Sequence, residues 1–316
     1  MRDEDERDPR YLRPLPAWRR TAGSMFAGTH TALVTPFQND RVDEAAFGRL
    51  IEEQIAGGIT GIVPVGTTGE SPTLDHAEHM RVIELGVKFA QGRALVIGGT
   101  GSNSTREAVL MTVEAEKLGC DAALLVAPYY NKPSQEGLYR HFARIAEATK
   151  LPIVLYSIPG RCGVEIGVET TLRLAQDFPN VVAIKEAGGS VERVSQLRAA
   201  LPAAFEILSG DDSLTLPFIS AGACGVISVA SNVIPQQVGD LVKAALAGDF
   251  EEARRLHFHW YPLFKDLFIE PNPVPAKHTL ALRGKISRDV RLPLCEMAPA
   301  TAAKLEVTLR SLQLIS

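Results

Sequence analysis

The sequence predicts an α/β protein, a TIM (β/α)₈ barrel with a C-terminal helical extension, and two observations predict it. Eight short apolar runs recur between residues 31 and 231, and longer stretches with helical patterning and helix caps lie between them. The runs are apolar throughout and do not alternate, which suits parallel strands buried on both faces. The early runs start about 30 residues apart, the size of one βα unit. A doubly wound open sheet fits less well, because no Gly-x-Gly-x-x-Gly fingerprint follows the first run.

The first strand is expected in TALVTP (31–36), and the stretch after it, DEAAFGRLIEEQIAGG, reads as a helix capped by Asp43 and closed at Gly57. GIVPVG (61–66) is the second strand and runs into GTTGES (66–71). ALVIGG (94–99) is the third, followed by STREAVLMTVEAEKLG, a helix capped by Ser104 and closed at Gly119. AALLVAP (122–128), PIVLYSIP (152–159), VVAIKEA (181–187), FEILSG (205–210) and GVISVAS (225–231) complete the eight. Beyond about residue 235 the strand pattern stops and helical segments follow at 235–268, 275–284 and 299–313. The expected organisation is a disordered tail over 1–24, the barrel over 25–234 and a helical region over 235–316.

Composition narrows the function. With 46% hydrophobic and 22% charged residues the chain is globular, and a net charge of −4 supplies no field to hold nucleic acid or an anionic membrane. Small molecules are the expected partners. The longest apolar runs are strand-sized, short of the roughly 18 residues a membrane helix needs. Four scattered cysteines form no Cys-x-x-Cys pair, so neither zinc nor a disulfide framework is expected, and a cytoplasmic location fits. The first residues lack the apolar core of a secretory signal and are too acidic for a transit peptide.

Barrel enzymes carry their chemistry at the C-terminal ends of strands, so the residues finishing each run are the candidates. VVAIKEA ends in Lys185 and Glu186. Period-two geometry puts Val181, Ala183 and Lys185 on one face and Val182 and Ile184 on the other. A lysine among apolar walls has its charged form disfavoured, and the neutral amine is a nucleophile able to form a Schiff base with a carbonyl. Otherwise a strand-end lysine extends into water or pairs with a carboxylate.

GTTGES, PYYNKPSQEGLY, YSIPGR, AIKEA, SGDD and GVISV together, in this order from about Met25 to the C-terminus, resemble the dihydrodipicolinate synthase (4-hydroxy-tetrahydrodipicolinate synthase) branch of the pyruvate-dependent class I aldolase and N-acetylneuraminate lyase superfamily. The resemblance implies that Lys185 condenses with pyruvate, with no cofactor beyond that covalent adduct and no metal. It implies that Tyr156 moves protons beside the lysine, relayed through Thr67 to Tyr130 reached from a neighbouring subunit. Thr68 would contact the pyruvate carboxylate and Ile227 would line the pocket. Arg161, in the Y-x-x-P-x-R pattern, would receive L-aspartate 4-semialdehyde, since a guanidinium forks onto a carboxylate. Ser157 departs from the asparagine found in many of these synthases. A homotetramer, a dimer of dimers, is the family expectation.

A second constellation resembles the site at the dimer interface of lysine-sensitive synthases: Ser71, His76, His79, Asn103, Glu107 and Tyr129. It implies inhibition by L-lysine. His76 and His79, at i and i+3, could instead face a metal, although no third ligand is evident. His257 and His259, two apart, would point in different directions on a helix. The alternatives are an aldolase for 2-keto-3-deoxy sugar acids or an N-acetylneuraminate lyase-like enzyme using the same lysine, and a silent barrel that binds a keto acid without turning it over. A panel of aldehydes with pyruvate fixed separates the enzymes, and reductive trapping separates both from the silent barrel.

Overall fold

The computed structural model describes residues 24–316, and in it eight parallel strands close on themselves with helices between them. The residues 1–23 of the expected tail lie outside the described residues. In chain order the strands are β1 (Gly28–Ala32), β2 (Phe37–Gln38), β3 (Arg41–Val42), β4 (Gly61–Val63), β5 (Leu95–Gly99), β6 (Ala122–Val126), β7 (Ile153–Ser157), β8 (Val181–Glu186), β9 (Glu206–Ser209) and β10 (Gly225–Ser228). The barrel runs β1-β10-β9-β8-β7-β6-β5-β4, and β2 and β3 form a separate antiparallel pair. The helices of the barrel are α1 (Glu44–Ala56), α2 (His76–Ala90), α3 (Thr105–Leu118), α4 (Gln135–Ala146), α5 (Pro159–Cys162), α6 (Val168–Asp177), α7 (Val191–Ala200) and α8 (Thr215–Ser220). The C-terminal region adds α9 (Pro235–Leu246), α10 (Phe250–Asp266), α11 (Val274–Leu282) and α12 (Pro299–Ser311).

The expected caps form. Asp43 accepts from the Ala46 amide, and Ser104 caps α3, while Gly57 and Gly119 end α1 and α3. The expected first C-terminal segment divides into α9 and α10 at Gly248, whose φ of +80° suits glycine. No described helix is long and apolar enough to cross a membrane.

Two expectations shift. The first strand lies at Gly28–Ala32, earlier than TALVTP, and its Thr29, His30 and Thr31 are buried polar residues that an apolar pattern does not mark. His30 points into the barrel, donates from Nε2 to the Phe26 carbonyl at 2.9 Å and is held neutral by burial, which lowers its pKa to about 4. Thr31 faces outward and donates to Gln54 Oε1 at 2.6 Å. Below them Glu206 accepts from the Met25 and Phe26 amides at 2.8 and 2.9 Å and from the Ser24 hydroxyl.

The second shift concerns β8. Val181 does not share a face with Lys185: it packs in the outer layer between barrel and helices, while partly buried Val182 packs toward the interior. The cause is a register irregularity, since Ile153 pairs with Val181 but Val154 pairs with Ala183. One extra residue in a ladder reverses the facing of everything before it. From Ala183 onward the alternation holds.

Apolar residues therefore fill two layers. Phe47, Ile83, Phe142 and Phe218 pack between helices and sheet. Val63, Ile97, Leu124, Val154, Tyr156, Ala183, Leu208 and Ile227 fill the barrel interior, with Phe26 at its amino-terminal end. The C-terminal region reaches back to the loop after β4. Lys277 and Glu70 form a fully buried pair, Nζ to Oε1 at 2.6 Å, and the Arg291 backbone amide donates to the other carboxylate oxygen at 3.0 Å. The Arg291 guanidinium forks onto Glu78, both bonds at 2.7 Å.

Candidate active site

The loop after β4 is built by tight backbone turns. Val65 has a φ of +52°, a left-handed conformation that is costly for a β-branched residue. Its carbonyl comes within 2.5 Å of where a Cβ on Gly99 would stand, so β5 must end in glycine there. Thr67–Gly69 then form a single 3₁₀ turn, and Thr35 donates to the Gly69 carbonyl at 2.7 Å. This turn presents Thr67 and the buried Thr68.

Tyr156 and Lys185 are register partners on adjacent strands β7 and β8. Partners across a parallel pair present their side chains to the same face, one strand spacing apart. Both point into the barrel, and Lys185 Nζ lies 4.2 Å from the centre of the Tyr156 ring. Lys185 is 6% exposed, and burial lowers its pKa to about 7, with Asp212 opposing and Arg161 reinforcing that shift. Burial likewise raises Tyr156 to about 12, against the hydrogen bond from Thr67 and the charge of Arg161. At neutral pH the phenol keeps its proton while a large share of the lysine is free amine.

Arg161 sits exposed on the short α5 at the rim, and its guanidinium makes no hydrogen bond among the described residues. Ile227 is fully buried in the interior cluster with Tyr156 and Ala183. Ser157, on the outward side, is also fully buried, and its hydroxyl lies 3.4 Å from the Ile166 amide. Thus Thr67, Tyr156, Arg161 and Lys185 lie near one another at the C-terminal ends of the strands, with Thr68 next to Thr67 on the same turn and Ile227 in the interior cluster with Tyr156. Tyr130 is not among them: it is 89% exposed, on a loop with a φ of +73°. That loop is fastened to the one after β5, since Asn103 Nδ2 donates to the Tyr129 carbonyl at 3.2 Å and Asn131 Nδ2 to the Asn103 carbonyl at 3.0 Å.

Adjacent Lys185 and Glu186 serve opposite sides of the sheet. Glu186 is fully buried toward the helices, where its Oε2 accepts from Arg193 Nε at 2.8 Å and its Oε1 from the Gly188 amide at 2.7 Å. Burial raises its pKa, and Arg193 opposes the rise.

Three supports escaped sequence reasoning. Asp212 of SGDD is buried and accepts from the Val229 and Ala230 amides at 3.0 and 2.8 Å and from the Ser228 hydroxyl; burial raises its carboxyl to about 6. A Cβ on Gly210 would meet the Ala187 Cβ at 2.6 Å and the Lys185 stem at 3.1 Å, so a side chain there would crowd both. Asn272, far along the chain, donates from Nδ2 to Thr68 Oγ1 at 3.0 Å. The SGDD motif marks the first two, but no local pattern marks the third.

The second constellation occupies the loops after β4, β5 and β6 and the first turns of α2 and α3. His79 is buried and donates to the Gly99 carbonyl at 2.7 Å, whereas His76 is exposed and lies 3.1 Å from Glu114. The two imidazoles therefore do not converge. Ser71 stands on a short 3₁₀ turn, Glu107 accepts from the Ser102 hydroxyl, and Tyr129 is 37% exposed beside Asn103. His257 packs among Phe258, Tyr261 and Phe264, while His259 meets Trp260 edge to face.

Comparison with known proteins locates this arrangement. The model of the dihydrodipicolinate synthetase family matches residues 25–312. A protein of Hydrogenobaculum sp. (strain Y04AAS1) named 4-hydroxy-tetrahydrodipicolinate synthase is 50% identical over 291 residues, covering 92% of this chain and 100% of that protein. The structure of the 4-hydroxy-tetrahydrodipicolinate synthase from Methylacidiphilum fumariolicum SolV is 56% identical with a TM-score of 0.90, covering 91% of this chain and 96% of that one. A synthase structure from Cyanidioschyzon merolae, with lysine bound, is 40% identical with a TM-score of 0.90, covering 93% of this chain and 100% of that one.

Proposed function

The chain belongs to the dihydrodipicolinate synthetase family and has 4-hydroxy-tetrahydrodipicolinate synthase activity, and from that premise we propose that it condenses pyruvate with L-aspartate 4-semialdehyde through a Schiff base on Lys185. The observation that carries this reading is a lysine inside the barrel, depressed to about pKa 7, in register with a protonated tyrosine. Relatives at about this identity bear the synthase name, which favours it over a sugar-acid aldolase.

The free amine of Lys185 attacks the pyruvate ketone, and proton transfer gives a carbinolamine. Loss of water leaves an iminium, and loss of a methyl proton gives the enamine. The enamine carbon bonds to the aldehyde carbon of the semialdehyde, whose oxygen takes a proton. The semialdehyde's amine then adds to the iminium carbon and Lys185 departs as free amine. Each step moves a proton near one carbon, and hydroxyls can conduct protons without placing net charge beside the iminium. Tyr156 donates and accepts, Thr67 links it onward, and Tyr130 of a second subunit completes the relay. Thr68 holds the pyruvate carboxylate, Ile227 walls the pocket, and Arg161 receives the semialdehyde carboxylate.

An exposed tyrosine fastened on a loop supports the shared site, and the proposed assembly is a homotetramer built from such dimers. The reading extends to a cytoplasmic enzyme of lysine biosynthesis by the diaminopimelate route, needing no cofactor. It also extends to L-lysine as inhibitor at Ser71, His76, His79, Asn103, Glu107 and Tyr129; the relative with lysine bound supports it.

Borohydride reduction with pyruvate is expected to add one reduced pyruvate to the peptide carrying Lys185, read by mass. Because the free amine is the reactant, trapping accelerates about tenfold per pH unit below 7 and levels off above it. A trapping rate that keeps climbing to pH 10, or an adduct on another lysine, overturns the assignment. For the shared relay, Tyr130→Phe is expected to lower kcat by roughly 10²-fold with trapping retained; full turnover would remove Tyr130 from the mechanism.

A further inference from the structure

The turn that carries Thr68 is tied from outside the barrel at two places. One is the buried contact of Glu70 with Lys277 and the Arg291 amide. The other is the bond from Asn272 Nδ2 to Thr68 Oγ1, at 3.0 Å and buried on both sides. The first fixes where the turn sits. The second adds something that position alone cannot: a direction for a proton.

A threonine hydroxyl has one proton to donate and two lone pairs that accept. With the Asn272 amide donating, one lone pair of Thr68 is engaged and the proton stays available, and Thr68 Oγ1 donates to no described residue. An amide presented the other way round would take that proton for its own oxygen. We propose that Asn272 is a positioning residue that sets the Thr68 hydroxyl as a donor to the substrate carboxylate. This rests on Thr68 being the carboxylate contact. Because the Glu70 contacts hold the turn independently, changing Asn272 alters the polarity of the hydroxyl while leaving its place.

Asn272→Asp puts an acceptor where the donor was and captures the Thr68 proton. The KM for pyruvate is expected to rise roughly ten- to a hundredfold, the loss of a hydrogen bond to a charged group, while kcat and the KM for the second substrate stay within about threefold. Asn272→Ala leaves the proton free, and its KM for pyruvate rises only about threefold. Thr68→Val alone raises the same KM, and adding Asn272→Asp to it changes little further, because the asparagine acts through that hydroxyl. Thermal melting of each variant checks that it folds; if the aspartate variant does not, the alanine variant carries the same comparison on the Thr68→Val background. Full additivity on that background overturns the proposal, since the effect would then be bulk charge or packing, and so does a pyruvate KM in Asn272→Asp within twofold of the parent. An unchanged KM in Thr68→Val overturns the carboxylate contact itself, and the role of Asn272 with it.

Discussion

Lys185→Met is expected to lower kcat/KM on the order of 10⁴-fold or more while making the fold more stable at neutral pH. Losing the amine removes the covalent step. The stability gain follows from linkage. The unfolded chain keeps a proton on this lysine up to about pH 10.4, whereas the folded chain surrenders it near 7. Between those values the unfolded state binds more protons, so the parent loses stability as pH falls from 10 to 7, and the deficit is complete below 7. Methionine fills the same space without a charge to desolvate. The variant is expected to exceed the parent by a few kcal/mol at pH 7, on the order of that linkage, with the gap closing toward pH 10. Urea unfolding at both pH values measures it. Retained turnover would remove Lys185 from the chemistry, and a gap unchanged with pH would mean that the ammonium is not desolvated.

Lys277→Met is expected to cost about 3–5 kcal/mol, because it leaves the Glu70 carboxylate buried without its countercharge. Burial lowers the pKa of Lys277 and Glu70 opposes that shift, so the pair stands or falls together. Combining it with Glu70→Gln is expected to recover most of the loss, since a neutral amide tolerates the site better than a stranded anion. Denaturant titration of parent, both single variants and the double variant forms the cycle. A Lys277→Met midpoint equal to that of the parent would show that the pair adds nothing to stability.

What could be read from the sequence depended on whether the information was local. The strands at 95–99, 122–126 and 153–157 stand out because both faces of each are apolar. β1 did not, because Thr29, His30 and Thr31 are buried polar residues, and a hydrophobic pattern cannot register them. The inward aim of Lys185 was legible from its alternation with Ala183. The outward turn of Val181 was not, since an irregular register is a property of two strands and only one was in view. Asp212 illustrates the same limit within a recognised motif: its hydrogen bonds come from residues 228–230, on and after the next strand. Thr68 and Asn272 stand 204 positions apart, and only folding brings them to hydrogen-bond distance.

The fastening of the Thr68 turn by Asn272, Lys277 and Arg291 has a consequence for synthesis on the ribosome. When the nascent polypeptide has emerged as far as β10, every barrel strand has left the exit tunnel, yet the anchors of that turn are still unmade. Competence to take up the keto acid therefore arrives late in translation, with the emergence of residues 272–291.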